Sequence, residues 1–131
     1  MRALQPAFAL VLLLALSCKK EEGTPASSGV SITFRTDSGF TYLGDTVPQG
    51  DTLRVGAIIT EGSGDLERFY LAIKLDAGPD TGLDTVDVST DPFTYEAVHV
   101  TRSQAGTEQL IFIAEEEDGD RTTRRLTFVV P

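Results

Sequence analysis

Tryptophan is absent from this chain, and cysteine and histidine occur once each, as Cys18 and His99. A single cysteine rules out any disulfide within the chain, and one cysteine with one histidine cannot make a Cys/His zinc set. Basic residues are scarce: 11 lysines and arginines stand against 20 aspartates and glutamates, for a net charge of −9. Nucleic-acid binding relies on clustered Lys and Arg that release counterions from phosphate, so that class is excluded. No apolar run reaches the roughly 20 residues that a membrane-spanning helix needs. No Gly-x-Ser-x-Gly elbow surrounds a serine, and the Gly-Ser-Gly after Glu61 has no helix behind it to make a phosphate loop. No internal repeat is present. Apolar residues still make up 40% of the 131, which is enough for one packed domain.

The first apolar feature is an address. Residues 7–16 (AFALVLLLAL) are ten consecutive apolar residues behind Met1 and Arg2. That length suits the h-region of a secretory signal, about 7–15 residues. Small residues follow, and then the only cysteine, in the order Ala15-Leu16-Ser17-Cys18. This order resembles a bacterial lipobox, in which the signal is cut just before a cysteine that carries diacylglycerol; Ala15 stands where leucine is usual. The resemblance implies a signal peptide over residues 1–17 and a lipid on Cys18, so that the membrane is the first partner. Each buried CH₂ contributes about 0.8 kcal/mol and one acyl chain holds only marginally, so two or three chains on Cys18 would make the anchor stable. Lys19-Lys20-Glu21-Glu22 resembles the surface-export signal of lipoproteins of the Bacteroidetes group. It implies an outer-membrane lipoprotein exposed to the medium. Residues 18–29 then form a lipidated tether, because 23–29 (GTPASSG) contain nothing that builds a core.

The domain is expected over residues 30–131, and its apolar pattern has period two. Val30, Ile32 and Phe34 alternate with Ser31 and Thr33. Leu53, Val55, Ala57 and Ile59 share a face of 52–60. Phe69, Leu71, Ile73 and Leu75 share a face of 67–76, with Tyr70 and Lys74 opposite. Val86 and Val88 make a short piece. Residues 93–102 are strand-like with two readings of register: Phe93, Tyr95 and His99 on one side, Val98 and Val100 on the other. Leu110, Phe112 and Ala114 alternate, with Ile111 and Ile113 making that run apolar on both faces, as in a central strand covered on both sides. Leu126, Phe128 and Val130 close the chain. Turn residues lie between the runs, and Asp118-Gly119 predicts a hairpin with a type I′ turn. Seven strands at about 8–12-residue spacing predict an all-β antiparallel sandwich. The layout resembles an immunoglobulin-like domain of the kind found in Bacteroidetes lipoproteins. Phe40-Thr41-Tyr42, Gly50-Asp51-Thr52-Leu53, residues 101–108 and the hairpin Glu117-Asp118-Gly119-Asp120 carry the resemblance. It implies an immunoglobulin-like β-sandwich of about seven strands, without the cysteine and tryptophan pins of antibody domains.

Catalytic residues are not indicated. His99 has no nucleophile and orienting acid set beside it in a recognisable motif, and it reads as a strand residue facing solvent or a neighbouring side chain. Paired carboxylates for glycoside hydrolysis need a cleft, which a sandwich of this size with short loops offers little of. Tyr42, Tyr70 and Tyr95 are the candidates for outward sugar-stacking rings. Arg121, Arg124 and Arg125 read as partners of the acidic run 115–118 across the hairpin. Two acidic clusters invite a calcium reading, Asp76, Asp80, Asp84, Asp87 and Asp91 in one, and Glu115, Glu116, Glu117, Asp118 and Asp120 in the other. Neither has EF-hand spacing, so no metal or other cofactor is assigned, and both read as solvated surface. The alternative is a calcium site on Asp76, Asp80 and Asp84, ahead of the hairpin. The functional expectation is a non-enzymatic cell-envelope lipoprotein with a structural, adhesive or accessory role toward a surface protein partner. The alternative is a small-ligand or carbohydrate-binding module.

Overall fold

The computed structural model describes residues 29–131, and the expected signal segment, Cys18 and the expected tether other than Gly29 lie outside the described residues. No helix occurs among the described residues. Seven strands follow in order: β1 (Ser31–Phe34), β2 (Thr52–Thr60), β3 (Leu66–Leu75), β4 (Asp80–Asp87), β5 (Phe93–Val100), β6 (Gly106–Glu116) and β7 (Arg121–Val130). They form two antiparallel sheets, one of three strands in the order β1-β2-β5 and one of four in the order β4-β3-β6-β7. The protein is therefore an all-β antiparallel β-sandwich. Its fourth strand lies beside the third, whereas the constant-type antibody layout puts it at the edge of the first sheet.

The core forms where the alternating faces of the two sheets meet. Leu53, Val55, Ala57 and Ile59 of β2 face Phe69 and Leu71 of β3, Leu110, Phe112 and Ala114 of β6, and Leu126, Phe128 and Val130 of β7. The aromatic centre is continuous: Phe112 meets Phe34 edge-on at 5.0 Å between ring centroids, and Phe69 lies 4.4 Å from Tyr95. With no disulfide or tryptophan in the domain, this aliphatic and aromatic packing holds the sheets together.

The register of β5 is settled by the ring of Tyr95. Tyr95 is buried and pairs with the small residue Ala57, which leaves room for it, while its hydroxyl reaches Asp84 Oδ2 at 2.9 Å. Phe93, Ala97 and His99 share that inward side, and Val98 and Val100 are 68% and 57% exposed. Tyr95 was expected to be available as an outward ring; it is not, because its body fills the core and only its hydroxyl meets a polar partner.

Several elements differ from the sequence expectation. β4 is a full eight-residue edge strand rather than a short piece around Val86. Exposed on nearly every residue, it carries no apolar period to reveal it, and Asp80, Asp84 and Asp87 blunt it as an edge. Ile73 is half-buried, and Leu75 is 42% exposed because β3 runs past the core before the turn at Asp76, whose φ is 53°. Ile111 is buried on the outer face without any third layer, between its cross-strand neighbours Ala72 and Arg125. The β6–β7 turn is not type I′. That turn requires positive φ at two central residues, and Asp118 does not have it. Instead Gly119 N donates to Glu116 O, Glu116 N donates to Asp120 O, and Gly119 takes φ 93° as the left-handed residue of a three-residue loop.

The long connection 35–51 closes two exposed surfaces. Phe40 packs over Gly56 on the outer face of the first sheet, between the guanidinium groups of Arg35 and Arg54, each 4.3 Å from the ring centroid. Residues 45–47 run along the edge strand β7: Val47 N donates to Val129 O and Val129 N to Asp45 O, both at 2.9 Å. Gly44 permits this approach, since a Cβ there would lie 2.7 Å from the Thr127 carbonyl oxygen.

Candidate functional site: an acidic pole

Strand direction brings three connections to one end of the sandwich. β2, β4 and β6 end there and β3, β5 and β7 begin there, as the pairs Ile59–Phe93, Arg68–Asp87, Leu66–Glu116 and Glu115–Arg121 require. Ser31 pairs with Thr60, so the described chain also enters at this pole. The connections are 61–65, 88–92 and 117–120. They and the strand ends beside them carry Glu61, Asp65, Asp91, Glu116, Glu117, Asp118 and Asp120.

Glu116 is the anchor of the pole. It ends the inward-facing row of β6 that also holds Leu110, Phe112 and Ala114, and it is 1% exposed. Its Oε2 accepts from Gly62 N at 2.8 Å and Gly64 N at 2.9 Å, so one carboxylate oxygen holds the 61–65 loop by two backbone donors. Its Oε1 is buried, with no hydrogen-bond partner among the described residues. Asp118 lies over the same loop, where a Cβ on Gly64 would be 3.1 Å from Asp118 Oδ2. Asp118 Oδ1 accepts from Asp120 N at 3.0 Å, which shapes the turn. Carboxylate oxygens of Glu116, Asp118 and Asp120 lie within 4.8 Å of one another.

A shallow cleft of about 350 Å³ opens beside this group, lined by Glu61, Asp65, Asp91 and Glu117 among others. Asp91 Oδ1 accepts from Glu61 N at 3.0 Å, and Glu117 N donates to Asp65 O at 2.9 Å. The hydrogen bond and charge of Asp65 push the Glu117 carboxyl above the usual carboxylate range, since two like charges there disfavour full ionisation. The arginines nearest along these strands are engaged elsewhere: Arg68 with Asp87 and Glu67, Arg121 with Glu115. Among the described residues no basic side chain forms an ion pair with any of the seven acids of the pole.

The opposite pole holds the other buried carboxylate of β6. Glu108, also 1% exposed, sits at the far end of the same inward row. Its Oε1 is 2.7 Å from His99 Nε2 and its Oε2 accepts from Arg102 N at 2.7 Å, so both oxygens are engaged. His99 thus faces a neighbouring side chain, and its side-chain hydrogen bond among the described residues is to Glu108. Sequence reasoning did not single out this pairing, because a glutamate in line with Leu110 and Phe112 reads as a strand end rather than an interior group.

The remaining candidates are dispersed. Asp76, Asp80 and Asp84 are not brought together. Asp76 accepts from Thr107 N and pairs with Arg102, interactions that hold its carboxyl below the usual range. Asp84 binds the Tyr95 hydroxyl, and Asp80 sits exposed at the start of β4. Tyr70 lies under Arg121 and bonds to Glu115, whereas Tyr42 is partly exposed in the 35–51 segment and Tyr95 is interior, so the three tyrosines make no common platform. Of the three arginines only Arg121 meets the acidic run, through Glu115 at 2.8 Å. Arg124 reaches across to the Ile32 carbonyl and stacks on Phe34, and Arg125 donates to Gln109. Their strand positions explain this: Arg124 pairs with Phe112 on the inward side, and Arg125 with Ile111 on the outward side.

By class, the protein is a two-sheet antiparallel β-sandwich with one strongly acidic pole. No protein-family model and no curated protein matches the chain.

Proposed function

We propose that the chain is a non-enzymatic lipoprotein of the cell envelope. Lipid on Cys18 would hold it in the outer membrane, where it displays one immunoglobulin-like sandwich at the surface in a structural, adhesive or accessory role. The observation that carries this reading is the order of parts along the chain: a ten-residue apolar run, Cys18 directly after it, a core-less tether and then one β-sandwich. Two further features support it. His99 is engaged by a buried glutamate instead of a nucleophile, and the domain is closed around its own core with its entry point at one pole. A carbohydrate-binding role has less support, since its ring platform is not assembled.

The test is fractionation of cells expressing the parent chain or Cys18→Ser, with metabolic labelling by a radioactive fatty acid. Labelled parent protein in the outer membrane, and unlabelled Cys18→Ser recovered as soluble protein or uncleaved precursor, is the expected result. Normal processing and membrane partition of Cys18→Ser would overturn the reading.

A further inference from the structure

Buried carboxylates are stable only when their oxygens are matched by donors or cations. The two buried glutamates of β6 differ in this respect. Glu108 has both oxygens engaged, by His99 and by Arg102 N. Glu116 Oε2 accepts hydrogen bonds from the loop amides of Gly62 and Gly64, but its buried Oε1 has no partner among the described residues. No arginine or lysine of the described residues pairs with Glu116. What Glu116 does face is two further carboxylates, Asp118 and Asp120, with oxygens within 4.8 Å of one another. Three carboxylates this close, one of them buried with an oxygen left unmatched, repel each other unless a cation joins them.

We propose that Glu116, Asp118 and Asp120 form a divalent-cation site of the calcium class at the β6–β7 turn, with Glu116 Oε1 as its inner ligand. The chemistry selects the ion. The donors are all carboxylate oxygens, which suit hard cations and not zinc or copper. Two oxygens that share one calcium are separated by at most about twice the Ca–O distance of 2.3–2.6 Å, which the spacing of this group meets. Three carboxylates supply three to six ligand atoms and water completes the six to eight that calcium takes, whereas magnesium holds to a stricter octahedron. Asp118 and Asp120 are exposed, so ions enter from solvent. A site with few rigid ligands belongs to the weak class typical of extracellular modules, with a Kd of about 10⁻⁴–10⁻³ M. Because Glu116 also holds Gly62 and Gly64, the ion would lock the β6–β7 turn to the 61–65 loop and stiffen the pole where the chain enters. The site is independent of any lipid on Cys18.

The experiment is thermal melting of the full chain in chelator and in 10 mM calcium chloride. Controls are magnesium chloride at the same concentration and sodium chloride at matched ionic strength. Amide NMR titration with calcium alone is run in parallel. A rise of roughly 5–10 °C with calcium is expected, from mass action at that affinity. Magnesium should give less, and shifts should centre on residues 116–120 and on Gly62 and Gly64. Asp118→Asn with Asp120→Asn keeps the turn acceptors and should abolish the calcium increment while the protein stays folded in chelator. Glu116→Gln, which retains an acceptor for the loop, should do the same. No calcium increment in the parent overturns the proposal, as does an increment that survives in the Asp118/Asp120 variant. An equal effect from magnesium or sodium chloride also overturns it, since that is diffuse screening, and so do shifts centred on residues 76–91.

Discussion

Phe112 and Glu116 stand four residues apart on the same inward row of β6, and the contrast between them shows what a single position contributes. Phe112 is fully buried against Phe34 and Phe69, where its ring joins the two sheets. Phe112→Ala removes that ring from a site with little freedom to collapse, and the expected cost is about 3–5 kcal/mol. Total stability for a domain of this size is about 5–15 kcal/mol, so the variant should be marginal. Urea denaturation followed by intrinsic tyrosine fluorescence measures this directly, and a loss below about 1 kcal/mol would mean the ring is not in the core. Glu116 occupies an equally interior place, yet its energetics depend on partners and not on volume. A carboxylate there is tolerated because two loop amides meet one of its oxygens.

At the scale of the element, the strands are defended in different ways. β7 is covered by residues 45–47, β4 carries three aspartates, and β5 leaves Val98 and Val100 in solvent. The inward row Phe93, Tyr95, Ala97 and His99 makes β5 a sensitive test of register, since a one-residue slip exchanges every side chain between core and solvent. Val98→Lys should change stability by no more than about 0.5 kcal/mol. Ala97→Lys, one residue away, drives an ammonium group into the side packed against the core and should leave the domain unfolded at 37 °C. Melting curves of the two variants decide it. Equal tolerance of both would show that β5 does not face the core as described.

For the whole molecule, the distribution of charge sets the response to pH. Hydrogen bonds with Arg35, Arg54 and Arg121 hold the carboxyls of Asp37, Glu96 and Glu115 below their ordinary values, and Thr107 N and Arg102 do the same for Asp76. Groups of this kind contribute stability above their unfolded values, about 3.9 for Asp and 4.3 for Glu, and lose it as pH falls through the lowered folded values. Glu117 has the opposite sign, because Asp65 raises it. Its contribution is fully present below the unfolded value and is lost as pH rises through the raised one. Stability should therefore rise on mild acidification from pH 7 and then fall steeply below about pH 4. Glu117→Gln should remove the acid-side rise and leave the steep fall. Melting midpoints taken in chelator between pH 8 and 2.5 test this. A steady decline from pH 7 that Glu117→Gln does not alter would contradict it.

The period-two alternation of β2, β3, β6 and β7 is written residue by residue, because a strand with one buried face must place apolar side chains at every second position. For the same reason the all-β class and the inward places of Leu53, Phe69, Phe112 and Phe128 were legible without coordinates. β4 was not legible, since an edge strand exposed along its length needs no apolar period. Nor was the register of β5, where both rows carry bulky residues and only the fit of Tyr95 beside Ala57, with its hydroxyl at Asp84, decides between them. The turn at Gly119 was placed by its glycine, but its three-residue form depends on the Glu116–Asp120 closure. The acids of the hairpin were visible in the sequence as a cluster, but their meeting with the 61–65 loop belongs to the tertiary structure. Glu116 is in line with Phe112 by local pattern, but Gly62 and Gly64 lie more than fifty residues earlier in the chain. Antiparallel pairing of β3 with β6 brings them to Glu116, and that meeting leaves its other oxygen buried without a partner among the described residues, in a carboxylate grouped with Asp118 and Asp120.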